Sequence, residues 1–144
     1  MKAKSKEQFT PFTWRQLFDT FKRLDPSKPA WIEASTNPDE PDEGRDYVEL
    51  AGVRKASVED GVLSITCYRR EGKRRPMTWG ELLEAVMPKV ADMDKIAFVK
   101  IGYGLKYLVD YYGRSADECR VWSWAIEPGI RCGDFLFLKL EVPW

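Results

Sequence analysis

The chain contains no histidine. That removes the commonest general base near neutral pH and the commonest metal ligand. Cysteine is scarce: Cys67, Cys119 and Cys132 are widely spaced, with no CxxC pair. An odd count without paired spacing argues against a disulfide framework and fits a reducing compartment. Net charge is missing too, since 23 Lys+Arg balance 23 Asp+Glu. The basic excess of a dedicated nucleic-acid binder is absent, as is the acidic excess of a DNA mimic. No stretch approaches the roughly 20 apolar residues of a membrane span. The basic opening Met1-Lys2-Ala3-Lys4-Ser5-Lys6 is followed by no apolar signal core. These absences predict a soluble, cytoplasmic protein with no membrane contact, metal or cofactor.

Aromatic residues make up 13% of the 144 residues, a high load for a globular composition. The length predicts a single domain over 1–144. Within it the chain repeats itself. Phe12-Thr13-Trp14-Arg15-Gln16-Leu17-Phe18-Asp19 returns as Met77-Thr78-Trp79-Gly80-Glu81-Leu82-Leu83-Glu84. Downstream, Ala30-Trp31-Ile32 matches Ala97-Phe98-Val99, Val48 matches Val121, and Val62-Leu63-Ser64-Ile65 matches Phe135-Leu136-Phe137-Leu138. A repeat of this kind constrains the whole architecture. Its copies run over 12–68 and 77–141, joined by a basic linker over 69–76.

Each copy opens with the same helix start. Thr13 with Gln16, and Thr78 with Glu81, have capping-box spacing. Phe12 with Leu17, and Met77 with Leu82, have the spacing of a hydrophobic staple. Trp14, Leu17, Phe18, Phe21 and Leu24 follow helical spacing, as do Trp79, Leu82, Leu83, Val86 and Val90. Asp25-Pro26 ends the first helix, and Pro88 predicts a stop or kink in the second near Met87. A short apolar strand follows each helix, over Ala30–Glu33 and Ile96–Ile101. Two further strands follow in each copy, over Tyr47–Val53 and Val62–Tyr68, then over Arg120–Ile126 and Asp134–Glu141. Turns fall at Glu59-Asp60-Gly61 and Glu127-Pro128-Gly129. The acidic, proline-rich stretch Asn37–Gly44 reads as a solvated loop.

The predicted fold is therefore α+β: two pseudo-symmetric αβββ repeats with antiparallel sheets and two amphipathic helices covering one side. Apolar residues on both faces of the last strands, as in Phe135 to Leu140, place the second copy's strands at the centre.

Chemistry-bearing patterns are few. The tryptophans Trp14 and Trp79 cover the end of the core. Ile101-Gly102-Tyr103-Gly104 is a tight turn and no phosphate loop, since no Lys-Ser/Thr pair follows. Cys119 lies among Asp117, Glu118 and Arg120, where carboxylates hold a thiol protonated. No catalytic carboxylate spacing stands out, so the chain reads as a non-enzyme; a small histidine-independent enzyme is the least favoured alternative. Residues 105–112 have no counterpart in the first copy. Tyr107, Tyr111 and Tyr112, beside Tyr103, make this addition the candidate partner-binding element, because tyrosine favours protein interfaces. The linker supplies Arg69, Arg70, Lys73, Arg74 and Arg75. Five cations in seven residues suit nucleic acid or an acidic partner, the alternative reading.

The Thr-Trp-x-x-Leu helix start at Thr13 to Leu17, the Ala30–Ile32 strand and the Gly61–Ile65 hairpin strand resemble small phage and prophage accessory proteins. The likeness covers roughly the first 60 residues. The duplication and the acidic loop depart from the single-unit pattern. The resemblance implies an origin on a mobile element and a role as an accessory or inhibitor protein; inhibitors of bacterial defence complexes are one such class. It supplies no active site. The expected function is an intracellular protein-binding module whose partner is another protein, acting as a monomer or homodimer.

Overall fold

The computed structural model describes residues 12–36, 47–68, 75–103, 106–107, 119–129 and 133–141. Among the described residues, two α-helices and a seven-stranded sheet make an α+β architecture dominated by sheet. Helix α1 covers Trp14–Phe21, and strands β1 Trp31–Thr36, β2 Tyr47–Glu59 and β3 Val62–Cys67 come after it. Helix α2 covers Trp79–Val86 and runs into a 3-10 turn over Met87–Lys89. Then come β4 Phe98–Tyr103, β5 Lys106–Tyr107, β6 Arg120–Gly129 and β7 Gly133–Glu141.

Both helix starts form as the sequence predicts. Thr13 Oγ1 accepts the Gln16 N–H (3.2 Å), and Gln16 Oε1 accepts the Thr13 N–H (2.9 Å). Thr78 and Glu81 do the same at 3.1 and 2.9 Å. Each box satisfies donors that have no partner within the helix. Pro88 acts as predicted: the α-helix stops at Val86 and only the tighter turn continues. The first helix ends sooner than the proline signal suggests, at Phe21, with Leu24 still buried in the turn beyond.

The strands do not form two antiparallel sheets. One mixed sheet runs in the order β3-β2-β1-β7-β6-β4-β5, and β3 also pairs with β4. That last pairing returns six strands upon themselves, leaving β5 outside the ring. Two of the joins are parallel. Ile32 opposes Leu136 between β1 and β7, and Leu63 opposes Val99 between β3 and β4. The parallel β3–β4 join is bridged by α2, as parallel neighbours require a crossover. The physical reason for the departure is the edge: two separate three-stranded sheets would each expose unpaired strands, whereas closure removes them. It also removes any contrast between central and peripheral copies, because every ring strand has at least two neighbours.

Strand lengths follow from local chemistry. Asp60 and Gly61, both at positive φ (53° and 76°), make the two-residue turn between β2 and β3. The strands β6 and β7 stay paired past the expected Glu127-Pro128-Gly129 turn, out to Gly129 opposite Gly133. Register shifts fall between Val53 and Lys55 on β2 and between Val121 and Ser123 on β6. Val53 and Val121 thus hold the same place ahead of a shift, whereas the sequence comparison matches Val121 with Val48.

One core serves the described residues. Ile32, Ala34, Val53, Leu63, Ile65, Val99, Ile101, Val121, Leu136, Leu138 and Leu140 are buried on the ring strands, together with Leu17, Phe18 and Phe21 of α1 and Trp79, Leu82 and Val86 of α2. Trp14 and Trp79 are buried, as predicted. Phe135 and Phe137 on the opposite face of β7 are only half-buried, so two-sided apolar patterning marks a partly covered outer face there.

Candidate functional site

The predicted tyrosines divide. Tyr103 ends β4 and packs half-buried against the core. The backbone of β5 pairs back on it, with Tyr103 opposite Lys106 and Gly102 opposite Tyr107. Of the addition, Lys106 and Tyr107 form a two-residue strand on β4, at the end of the strand order. Of the turn expected at Ile101–Gly104, Ile101, Gly102 and Tyr103 are strand, and Gly104 lies outside the described residues. Tyr111 and Tyr112 lie outside the described residues.

Of the basic linker, Arg69, Arg70, Lys73 and Arg74 lie outside the described residues, and Arg75 is exposed. The chain on either side of the linker is pinned to β2. The Met77 N–H donates to the Val53 carbonyl (2.9 Å), and the Tyr68 N–H donates to the Gly52 carbonyl (2.9 Å). Gly52 is required by this approach: a Cβ there would stand 2.5 Å from Pro76 Cγ. The result is a hollow of about 290 Å³ lined by Arg54, Arg75, Pro76, Met77, Thr78 and Glu81. Arg54, on β2, is exposed. Sequence reasoning missed it, because a single charged position on a strand gives no hint that a distant segment will lie beside it.

A second hollow, of about 490 Å³, is lined by Leu24, Asp25, Lys28, Pro29, Trp79, Gly133 and Asp134. Its residues come from three separated segments, and no sequence signal links them. The Ser27 N–H and hydroxyl both donate to Asp25 Oδ1 (3.0 and 2.8 Å). They hold the Asp25 carboxyl below its ordinary value. The Trp79 indole N–H is buried with no hydrogen-bond partner among the described residues.

The two described cysteines are buried. Cys67 is buried, and burial pushes its thiol up to about 12. It is therefore protonated at neutral pH and a poor nucleophile. Cys119 is buried as well, which isolates it from solvent more completely than its acidic sequence neighbours suggest. Cys132 lies outside the described residues. Among the described residues no cluster of three or more Cys, Asp or Glu could hold a metal ion. No helix among them is long and apolar enough to cross a membrane.

The β4–β5 corner presents backbone and a tyrosine, and the hollow at Arg75 presents two guanidinium groups. No protein-family model, curated protein or solved structure matches the chain.

Proposed function

We infer that the chain is a non-enzymatic, intracellular protein-binding module, an accessory or inhibitor protein of a phage or other mobile element. Its binding element is the stretch from Tyr103 to Tyr112. The observation that carries this reading is the position of β5: a strand added to β4 at the end of the strand order, beside half-buried Tyr103. Tyrosine supplies contact area with a polar end, and such residues are common at interface hot spots. The phage origin rests on the likeness at Thr13 to Leu17, Ala30 to Ile32 and Gly61 to Ile65.

The same reading takes the two halves as copies of one αβββ unit. Its support is the pairing of bonds across the ring. Ala30 N–H donates to Met77 O and Ala97 N–H to Phe12 O (2.7 and 3.0 Å); Trp14 N–H donates to Lys95 O and Trp79 N–H to Lys28 O (both 3.0 Å). The isolated bridges match likewise, Thr13 with Ile96 and Thr78 with Pro29.

The test is affinity capture from a bacterial lysate, with and without nuclease, using the parent chain and Tyr111→Ala and Tyr112→Ala variants. A protein retained after nuclease and lost with either tyrosine is the expected result; for a purified partner the loss should exceed about 1–2 kcal/mol in affinity. Capture unaffected by both variants, or abolished by nuclease, overturns the reading.

A further inference from the structure

We propose that the hollow between β2 and the start of α2 is a phosphate-binding site, with Arg54 and Arg75 as its ligands. This goes beyond the protein-binding reading and uses a different part of the fold, so either can fail alone.

Two chain segments that are far apart in sequence bring their cations to one place. Arg54 comes from β2, and Arg75 comes from the strap that runs into α2. The strap is fixed there by the Met77-to-Val53 bond and by the proline ring of Pro76 seated on Gly52. Fixing the backbone matters because an exposed arginine loses side-chain freedom on binding, and a firm anchor reduces that cost. The planar guanidinium presents paired donors that match phosphate oxygens, and both arginines line the same hollow.

Thr78 adds a donor. Its Oγ1 accepts the Glu81 N–H (3.1 Å), which leaves the hydroxyl proton to point elsewhere. The opposing group in the lining is Glu81. One of its oxygens is engaged by the Thr78 N–H (2.9 Å), so the carboxylate is held at the rim as part of the cap. The described lining therefore carries two positive charges against one negative. The first N–H groups of α2 take no part, since Trp79 and Gly80 donate to Lys28 O and Pro26 O. At about 290 Å³, the hollow falls just below the roughly 300–1,000 Å³ of a site for a drug-sized molecule. It has room for a phosphate group. That group can be a phosphodiester of a nucleic-acid strand or a free phosphate, and the experiment separates the two.

The probes are a fluorescently labelled single-stranded oligonucleotide, inorganic phosphate and a poly-glutamate peptide, read by anisotropy and calorimetry at several salt concentrations. The variants are Arg54→Ala, Arg75→Ala and Glu81→Gln. Both arginines are exposed, so their loss should leave the melting temperature unchanged. Glu81→Gln retains the capping hydrogen bond, because glutamine fills that role at Gln16 in α1. Each arginine variant should weaken binding about tenfold, the scale of a hydrogen bond to a charged group. For the oligonucleotide the slope of log affinity against log salt should flatten by about 0.7 per lost contact. Glu81→Gln should tighten binding, since it removes the negative charge from the described lining. Binding of inorganic phosphate alone, with the same variant pattern, identifies a free phosphate as the ligand. No binding of either phosphate probe, equal binding by the arginine variants, or equal affinity for poly-glutamate overturns the proposal.

Discussion

Helices α1 and α2 begin alike and then diverge. Each opens with a capping box at a threonine, and each sends its next two N–H groups to the turn that precedes the other half's first strand. Trp14 and Arg15 donate to Lys95 O and Met93 O (3.0 and 2.9 Å), and Trp79 and Gly80 donate to Lys28 O and Pro26 O (3.0 and 2.9 Å). The side chains differ. Arg15 reaches Asp94 through an exposed ion pair at 3.1 Å. In the same place α2 has Gly80, where a Cβ would stand 3.0 Å from Pro26 O. Behind the caps, α1 fills its face with Phe18 and Phe21 and α2 with Leu82 and Val86. Backbone bonds and caps are what the two helix starts share, while volume and charge differ between them. An exposed ion pair contributes at most about 1 kcal/mol, so the two starts can differ there at little cost.

The largest expected effect lies where the helices meet. The rings of Phe21 and Trp79 are 5.6 Å apart, and Trp79 has 0% exposure against 4% for Trp14. Trp79→Ala should cost about 3–5 kcal/mol, the range for emptying a core tryptophan site. Trp14→Ala should fall at or below the lower end, because its ring packs along its own helix on Phe18 at 5.7 Å. Urea melts with unchanged m-values check this. An equal or larger loss at Trp14 would break the asymmetry and place the weight of the core on α1.

The next effect tests a difference between β2 and β6. Gly52 opposes Trp31 between β2 and β1, and Arg120 opposes Phe98 between β6 and β4. Arg120 carries a full side chain, so strand pairing does not demand glycine. What demands it is Pro76, with a Cβ-to-Cγ distance of 2.5 Å. Gly52→Ala should therefore cost about 1–3 kcal/mol as overpacking, and it should weaken phosphate binding by displacing Arg75. A variant as stable as the parent would mean that the strap lifts away freely.

The helix starts were legible because capping is local. Thr13 with Gln16, and Thr78 with Glu81, write their spacing within four residues. The strand at Val62 and the Asp60-Gly61 turn were legible for the same reason, since turn conformation is fixed by the residues within it. The ring was not legible. The joins of Ile32 to Leu136 and Leu63 to Val99 link residues far apart in sequence, and alternation says which face is buried without naming the neighbour. The hollow at Arg75 was half legible. The cationic run marked one wall, but Arg54 enters only through the Met77–Val53 bond. The pairing of Tyr103 with Lys106 was not legible.

The smallest effect sharpens the likeness itself. Thr13→Ala and Thr78→Ala each remove a side-chain acceptor from a single N–H, that of Gln16 and that of Glu81. The usual cost is about 0.5–2 kcal/mol. The backbone bridges of Thr13 with Ile96 and of Thr78 with Pro29 use main-chain groups, so they should survive the substitution. The two losses should be equal within about 0.5 kcal/mol, and the double variant should show their sum, the behaviour of sites without shared partners. Charge adds one distinction. The first turn of α2 holds the acidic Glu81, whereas the same position of α1 holds the neutral Gln16. A negative charge near a helix N-terminus is favoured by the helix dipole, by about 0.3–1 kcal/mol at low salt. Gln16→Glu should therefore stabilise the protein by that amount and Glu81→Gln should cost it, since either residue can close the box. Both differences should shrink in molar salt, which screens exposed charges. Unequal losses at the two threonines, or charge swaps indifferent to salt, would mean that the two caps are alike in geometry but not in energy.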